Sequence, residues 1–184
     1  FFSYNTPFDT PPFNEIKTEH YEPAFDEGIK QLDSEVQAIA NETQPATFEN
    51  TIVALERSGK LLNKVSSAFF NVLNAEADDE MMEISQRISP KLSESSNNIF
   101  LNEKLFARVK SVYEQKDRLN LSTEDAKLLE ETFESFSVRG ANLNPEDKEK
   151  YRKLSTDLSI LSLTFDQNAL KDKNRYELLL TDEK

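Results

Sequence analysis

Residues 144–165 read Asn144-Pro145-Glu146-Asp147-Lys148-Glu149-Lys150-Tyr151-Arg152-Lys153-Leu154, then Ser155-Thr156-Asp157-Leu158-Ser159-Ile160-Leu161-Ser162-Leu163-Thr164-Phe165. The first four residues supply an N-cap, a proline whose fixed φ suits the first helical position, and two acids that favour the positive end of a helix dipole. Behind them Tyr151, Leu154, Leu158, Leu161 and Phe165 recur at spacings of three and four, which is one face of an α-helix. A strand would need alternation with a period of two, which this stretch lacks. The expectation is a helix packed into the core along that stripe.

The same signals recur upstream. Pro23 sits in the first turn of a helix whose face is Phe25, Ile29, Leu32, Val36 and Ile39, closed by residues 41–45. Thr47, with Asn50 three residues on, caps a stripe of Phe48, Ile52, Leu55, Leu62, Val65, Phe69 and Leu73, read as one helix of roughly seven turns. Gly59 falls on that stripe, so either a neighbouring helix approaches closely there or the helix bends. Asp78 or Asp79 caps a third helix with Met82, Ile84, Ile88, Leu92 and Ile99 inward, kinked at Pro90. Asn102 starts a fourth through Leu105, Phe106, Val109, Val112 and Tyr113. Ser122 and Asp125 have the spacing of a capping box ahead of Leu129, Phe133 and Phe136, and Gly140 is a natural stop. A charged stretch, Glu114 to Arg118, reads as a surface turn.

Six helices with short connections predict an all-α fold, with antiparallel neighbours in an up-down bundle or layered helical hairpins. Ahead of them, residues 1–19 are expected to form an extended arm, because Pro7, Pro11 and Pro12 remove backbone donors, with Phe2, Phe8 and Phe13 docking on the helices. Residues 20–175 are the helical domain. Residues 176–184 form a connector in which Tyr176 to Leu180 loses helical periodicity and reads as a short strand or extended segment.

Composition narrows the function. The chain has 34 acidic against 22 basic residues, a net charge of −12, which repels phosphate backbones and anionic lipid surfaces and makes nucleic acid and membrane poor partners. Solvated outer helix faces account for this excess. With no cysteine there is no disulfide, thiolate ligand or cysteine nucleophile. The chain opens at Phe1 without an initiator Met, which reads as a trimmed or processed start. The cytoplasm is the expected compartment, with the periplasm the alternative if a leader was removed.

The inventory of reactive residues is thin. His20 is the single histidine, so neither an H-E-x-x-H zinc helix nor a three-histidine site can be assembled, and a structural role is expected for it. Ser93, Ser95 and Ser96 lack a G-x-S-x-G elbow and read as helix-surface serines. Gly28, Gly59 and Gly140 form no phosphate loop. Asp78, Asp79, Glu80 and Glu83 are the densest carboxylate cluster, but they lie in a first helical turn, where capping explains them better than metal binding or acid–base work. Phe69 and Phe70, with Val65 and Leu73, either line a groove for a peptide or helix or pack the core, and packing is the commoner use of such periodicity. The expectation is therefore no catalytic, cofactor-binding or metal-ligating residue within this chain.

Several motifs nevertheless agree in order with one family. The run Ile16-Lys17-Thr18-Glu19-His20-Tyr21-Glu22-Pro23-Ala24-Phe25, then Pro45-Ala46-Thr47-Phe48-Glu49-Asn50-Thr51 leading to Leu55-Glu56, resembles the N-terminal region of the thimet oligopeptidase and peptidyl-dipeptidase Dcp family. Pro90-Lys91-Leu92-Ser93, Leu101 to Arg108, and Leu158-Ser159-Ile160-Leu161 followed by Phe165 and Asn168 are similar to later markers of that family. The Pro7 to Phe13 segment resembles its Dcp-like members most. The resemblance implies a helical zinc metallopeptidase whose two halves enclose a channel that admits short peptides. It further implies that H-E-x-x-H, a further Glu ligand and Tyr and His donors lie in a catalytic domain of the same polypeptide, downstream of this chain. Thr47, Asn50 and Pro23 then carry structural roles, Leu158, Leu161 and Phe165 pack the last helix, and His20 is no zinc ligand. The catalytic emptiness of the chain reads as truncation. The alternative is a stand-alone helical interaction module that binds a partner helix or peptide without catalysis.

Overall fold

Five helix starts are set by side chains that take an orphan backbone N–H. Thr47 Oγ1 accepts from the Asn50 amide at 3.1 Å while Asn50 Oδ1 accepts from the Thr47 amide at 2.8 Å, a reciprocal capping box. Asp78 Oδ1 accepts from Met81 N, Asn102 Oδ1 from Leu105 N, Ser122 Oγ from Asp125 N and Asn144 Oδ1 from Asp147 N, all at 2.7–3.1 Å. Each is a cap that the sequence predicts.

The computed structural model describes residues 4, 6–76, 78–175 and 177. Its helices are α1 (Tyr21–Ala40), a wide turn Phe48–Val53 continuing into the single turn α2 (Ala54–Glu56), α3 (Lys60–Glu76), α4 (Asp79–Phe100), α5 (Glu103–Tyr113), α6 (Thr123–Val138) and α7 (Pro145–Arg175). Six of these are long, no strand occurs among the described residues, and the fold is an all-α bundle. The Tyr176 to Leu180 segment lies, but for Glu177, outside the described residues. α4 continues through Pro90 without interruption. α6 stops as expected, with Gly140 at φ +90° and the Ala141 amide donating back to the Phe136 carbonyl at 3.0 Å.

Two apolar cores share α1. Its first half packs Tyr21 and Phe25 with Leu62, Val65 and Phe69 of α3 and Ile84 and Ile88 of α4. Its second half packs Val36 and Ile39 with Ile52, Leu105 and Val109 of α5, and Leu129 and Phe136 of α6. Phe69 is fully buried, its ring edge-on to Tyr21 and Phe25 at 5.0 and 5.4 Å, so the Phe69-Phe70 pair belongs to the interior. α3 runs antiparallel to α1, because Phe69 meets Tyr21 while Leu62 meets Gly28. α4 returns parallel to α1, with Arg87 on Glu22 at 3.1 Å, Lys91 on Asp26 at 2.6 Å and Ser95 on Asp33 at 3.2 Å.

The two cores correct the expected seven-turn helix. Its stripe is continuous in sequence but serves two sites in space, Ile52 in one core and Leu62 and Val65 in the other. The chain must change direction between them, and it does so at Gly59, whose φ of +70° ends one helical segment and begins the next. A close helix approach falls instead at Gly28, where a Cβ would lie 3.0 Å from the Leu62 Cα.

The arm and the last helix also depart from expectation. The short 3-10 turn Pro7–Asp9 holds Phe8 at φ 62° and turns its side chain outward, 99% exposed, and Phe13 is half exposed. Ile16 packs on the first core, and Lys64 Nζ sits 5.0 Å from the centre of the Tyr4 ring, so these residues anchor the arm. Phe2 lies outside the described residues. In α7 the predicted core stripe is turned to solvent: Leu154, Leu158, Leu161 and Phe165 are 67, 64, 66 and 72% exposed. The opposite face is what meets the bundle.

Candidate functional site

α7 lies antiparallel on α4 through polar groups. Lys148, buried on the bundle side, reaches Glu103 at 2.9 Å, and the Arg152 guanidinium donates to Asn98 Oδ1 at 2.9 Å. Asn97 Nδ2 donates to Ser155 Oγ at 2.9 Å, and the Ser155 hydroxyl faces both Asn97 Oδ1 at 3.1 Å and the Arg152 carbonyl at 3.0 Å. About two turns from the far end, buried Gln167 accepts from Gln86 Nε2 at 2.7 Å and donates toward Ser85 Oγ and the Met82 carbonyl at 3.2 and 3.3 Å. Four polar positions over about 30 Å fix the rotation of the helix about its own axis. Any roll that buried the leucines would leave these groups unpaired.

A cavity of about 370 Å³ opens between α4 and α7. Ser93, Ser96, Ser155 and Ser159 line it above the Phe100 ring, and the Arg139 guanidinium stacks over that ring at 4.3 Å while reaching Ser96 Oγ at 3.4 Å. Its size suits a small polar molecule. Its chemistry is hydrogen bonding, since the lining residues include no histidine, lysine or carboxylate to draw a proton from a serine. The expectation of surface serines is corrected here: Ser95 is buried against Asp33 of α1, while Ser93 and Ser96 are half-buried in this cavity because α7 covers that side of α4.

The other sequence candidates fall into structural places. His20 stands exposed at the start of α1, with Nδ1 accepting from the Lys17 amide at 3.1 Å. Within the acidic cluster Asp78 caps α4 and Glu83 faces Arg87 at 3.9 Å. Between α1 and α4, Lys91 lies 2.6 Å from Asp26 and 3.6 Å from Glu22, and the hydrogen bond to Asp26 holds its pKa above the usual lysine value. Burial, with Tyr4 adding, pushes the Tyr21 phenol up from its ordinary 10.0. Among the described residues no three His, Cys, Asp or Glu side chains gather as a metal ligand set.

Sequence reasoning missed the polar inner face of α7. A signal existed, because Lys148, Arg152, Ser155, Ser159 and Gln167 also recur at helical spacing. It is overlooked when apolar periodicity alone is used to decide which face is inside.

No sequence-family profile matches the chain. Individual relatives do. Dipeptidyl carboxypeptidase of Escherichia coli strain K12 is 39% identical over 176 residues, covering 96% of this chain and 26% of that protein. Dipeptidyl carboxypeptidase of Salmonella typhimurium strain LT2 is 40% identical over 164 residues, 89% of this chain and 24% of its own length. Oligopeptidase A of Escherichia coli strain K12 is 26% identical over 178 residues, 97% of this chain and 26% of that protein. The chain thus spans about a quarter of the length of the relatives it matches, and that quarter is the N-terminal one. The chain is a homologue of the N-terminal region of dipeptidyl carboxypeptidase and oligopeptidase A, peptidases of the thimet oligopeptidase family.

Proposed function

We propose that this chain is the N-terminal helical part of a zinc-dependent oligopeptidase of the peptidyl-dipeptidase kind, forming one wall of a channel that admits short peptides. The observation that carries the reading is 39% identity across 96% of the chain with dipeptidyl carboxypeptidase, against 26% with oligopeptidase A. In this reading residues 1–19 are an arm, 20–175 the wall domain and 176–184 a connector toward the catalytic domain of the same polypeptide. The cytoplasm is its proposed compartment.

A zinc site needs three or four nitrogen, sulfur or carboxylate donors at about 2.0–2.3 Å. The described residues do not fit one: no such set converges, and the single imidazole spends Nδ1 on the Lys17 amide. In this reading the proposed metal and the catalytic residues belong to other parts of the polypeptide. The part this chain plays is steric and supportive, excluding folded proteins and positioning its partner domain.

The test uses the full-length protein that carries these residues. It should release dipeptides from the C-termini of short peptides, lose that activity to a chelator and regain it with zinc. A zinc-loaded full-length protein that cleaves no short peptide sinks the reading. The outward apolar stripe of α7 favours one second reading, a helical interaction module that binds a partner helix. That reading predicts binding without peptide cleavage.

A further inference from the structure

We infer that the outward face of α7, formed by Leu154, Leu158, Leu161 and Phe165, is the seam on which the rest of the polypeptide packs, through an α-helix laid along α7. The inference rests on the reading of this chain as the N-terminal quarter of a longer peptidase. Four large apolar side chains, each about two-thirds exposed, form one row on a single helix. Isolated exposed leucines are ordinary, but a contiguous row marks an interaction surface.

The pattern specifies the kind of occupant. Spacings of four, three and four keep the row straight along eleven to twelve residues, about 16 Å, which is the geometry of a seam against another helix. The helix cannot satisfy the row by rolling inward, because Lys148, Arg152, Ser155 and Gln167 are committed to α4 and α5 on the other side.

The remaining question is where the partner helix comes from. A second copy is disfavoured, since each copy carries a net charge of −12 and the row is bordered by exposed Asp157 and Asp166. A short substrate peptide is a poor occupant, since none of the four residues lines the cavity between α4 and α7 and a convex helix gives a peptide no enclosure. The relatives are about four times as long as this chain, and the additional length is tethered to it, which raises its effective concentration at the seam.

The experiment compares full-length protein with its Leu158→Glu/Phe165→Glu double variant, using Val138→Glu as the control. Val138 is 75% exposed near the end of α6 and outside the row. In the parent, backbone amides of 154–165 should be protected from hydrogen exchange. In the double variant they should exchange roughly tenfold faster or more, and Tm should fall by about 5 °C or more. The control should match the parent in both. Should the double variant fail to fold, the milder Leu161→Ala variant is read by the same two measurements and should show smaller shifts of the same sign.

Parental exchange and Tm in the variants would overturn the proposal. So would protection that appears only on adding a short peptide, which assigns the row to substrate, or only at concentrations where the protein dimerises, which assigns it to a second copy. The peptidase reading is judged separately by cleavage in the parent, so either conclusion can fail alone.

Discussion

Arg108 ties the loop between α1 and the 48–53 turn to α5. Its guanidinium donates to the Glu42 and Gln44 carbonyls, each at 2.9 Å, and to Asn50 Oδ1 and Thr51 Oγ1 at 3.0 and 3.3 Å. A planar fork is needed to meet four acceptors in different directions, which an ammonium cannot reproduce. Arg108→Ala is expected to cost about 2–4 kcal/mol and Arg108→Lys about half of that, read from chemical denaturation. Both variants unfolding at the parental midpoint would show that the loop is held by other means. Tyr21 gives a pH prediction. Burial holds its pKa above 10.0 in the folded chain, and Lys91 is raised by Asp26, so the folded protein keeps protons that the unfolded chain releases. That stability is full below about pH 10 and is lost as pH rises through the folded values. Lys91 is 40% exposed and contributes little, leaving Tyr21 as the main source. Tm should therefore be level between about pH 8 and 9.5 and fall above pH 10, with a shallower fall in Tyr21→Phe. An equal slope in that variant would assign the alkaline loss elsewhere.

At the level of single elements, α7 reverses the usual relation between hydropathy and stability. Gln167→Ala removes the acceptor of Gln86 and the donor to Ser85 Oγ in a buried place, while the Met82 carbonyl keeps the Ser85 hydroxyl, a loss of about 1–3 kcal/mol. Leu154→Ala, on the outward face, should change the stability of the 184-residue chain by no more than about 0.5 kcal/mol, where a core leucine truncation costs about 2–5 kcal/mol. A denaturation series in which Leu154→Ala is the costlier of the two would contradict the observed orientation of the helix. This is also where the sequence was least legible. The caps at Thr47, Asp78, Asn102, Ser122 and Asn144 act over three residues, so their spacing can be read locally. Which stripe of a helix faces inward depends on what the neighbour offers. α4 presents Gln86, Asn97 and Asn98 to α7, and no local rule couples those residues to Gln167, Ser155 and Arg152 some 54 to 81 positions away.

For the whole molecule, the helical class and most of the helix boundaries were readable because apolar periodicity and capping chemistry point the same way. The division into two cores was not, since the continuous 48–73 stripe hides the turn at Gly59. The cavity between α4 and α7 was likewise invisible, because it forms only where two polar faces meet at long sequence separation. The two-core plan has a consequence for how the chain is made. The first core needs nothing beyond Leu92, whereas the second is complete only when Ala141 is present. At synthesis rates of about 5–20 residues per second, roughly 3 to 10 s separate these two points. Until α5 and then α6 emerge within that interval, Val36, Ile39 and Ala40 of an already formed α1 lack the partners that cover them. A ribosome-bound chain halted with about 100 residues clear of the exit tunnel should resist protease around 61–88 and be cut around 36–56, and only the release of α5 and α6 should close that window. The apolar second half of α1 is thus the stretch of newborn chain on which a chaperone has most reason to act.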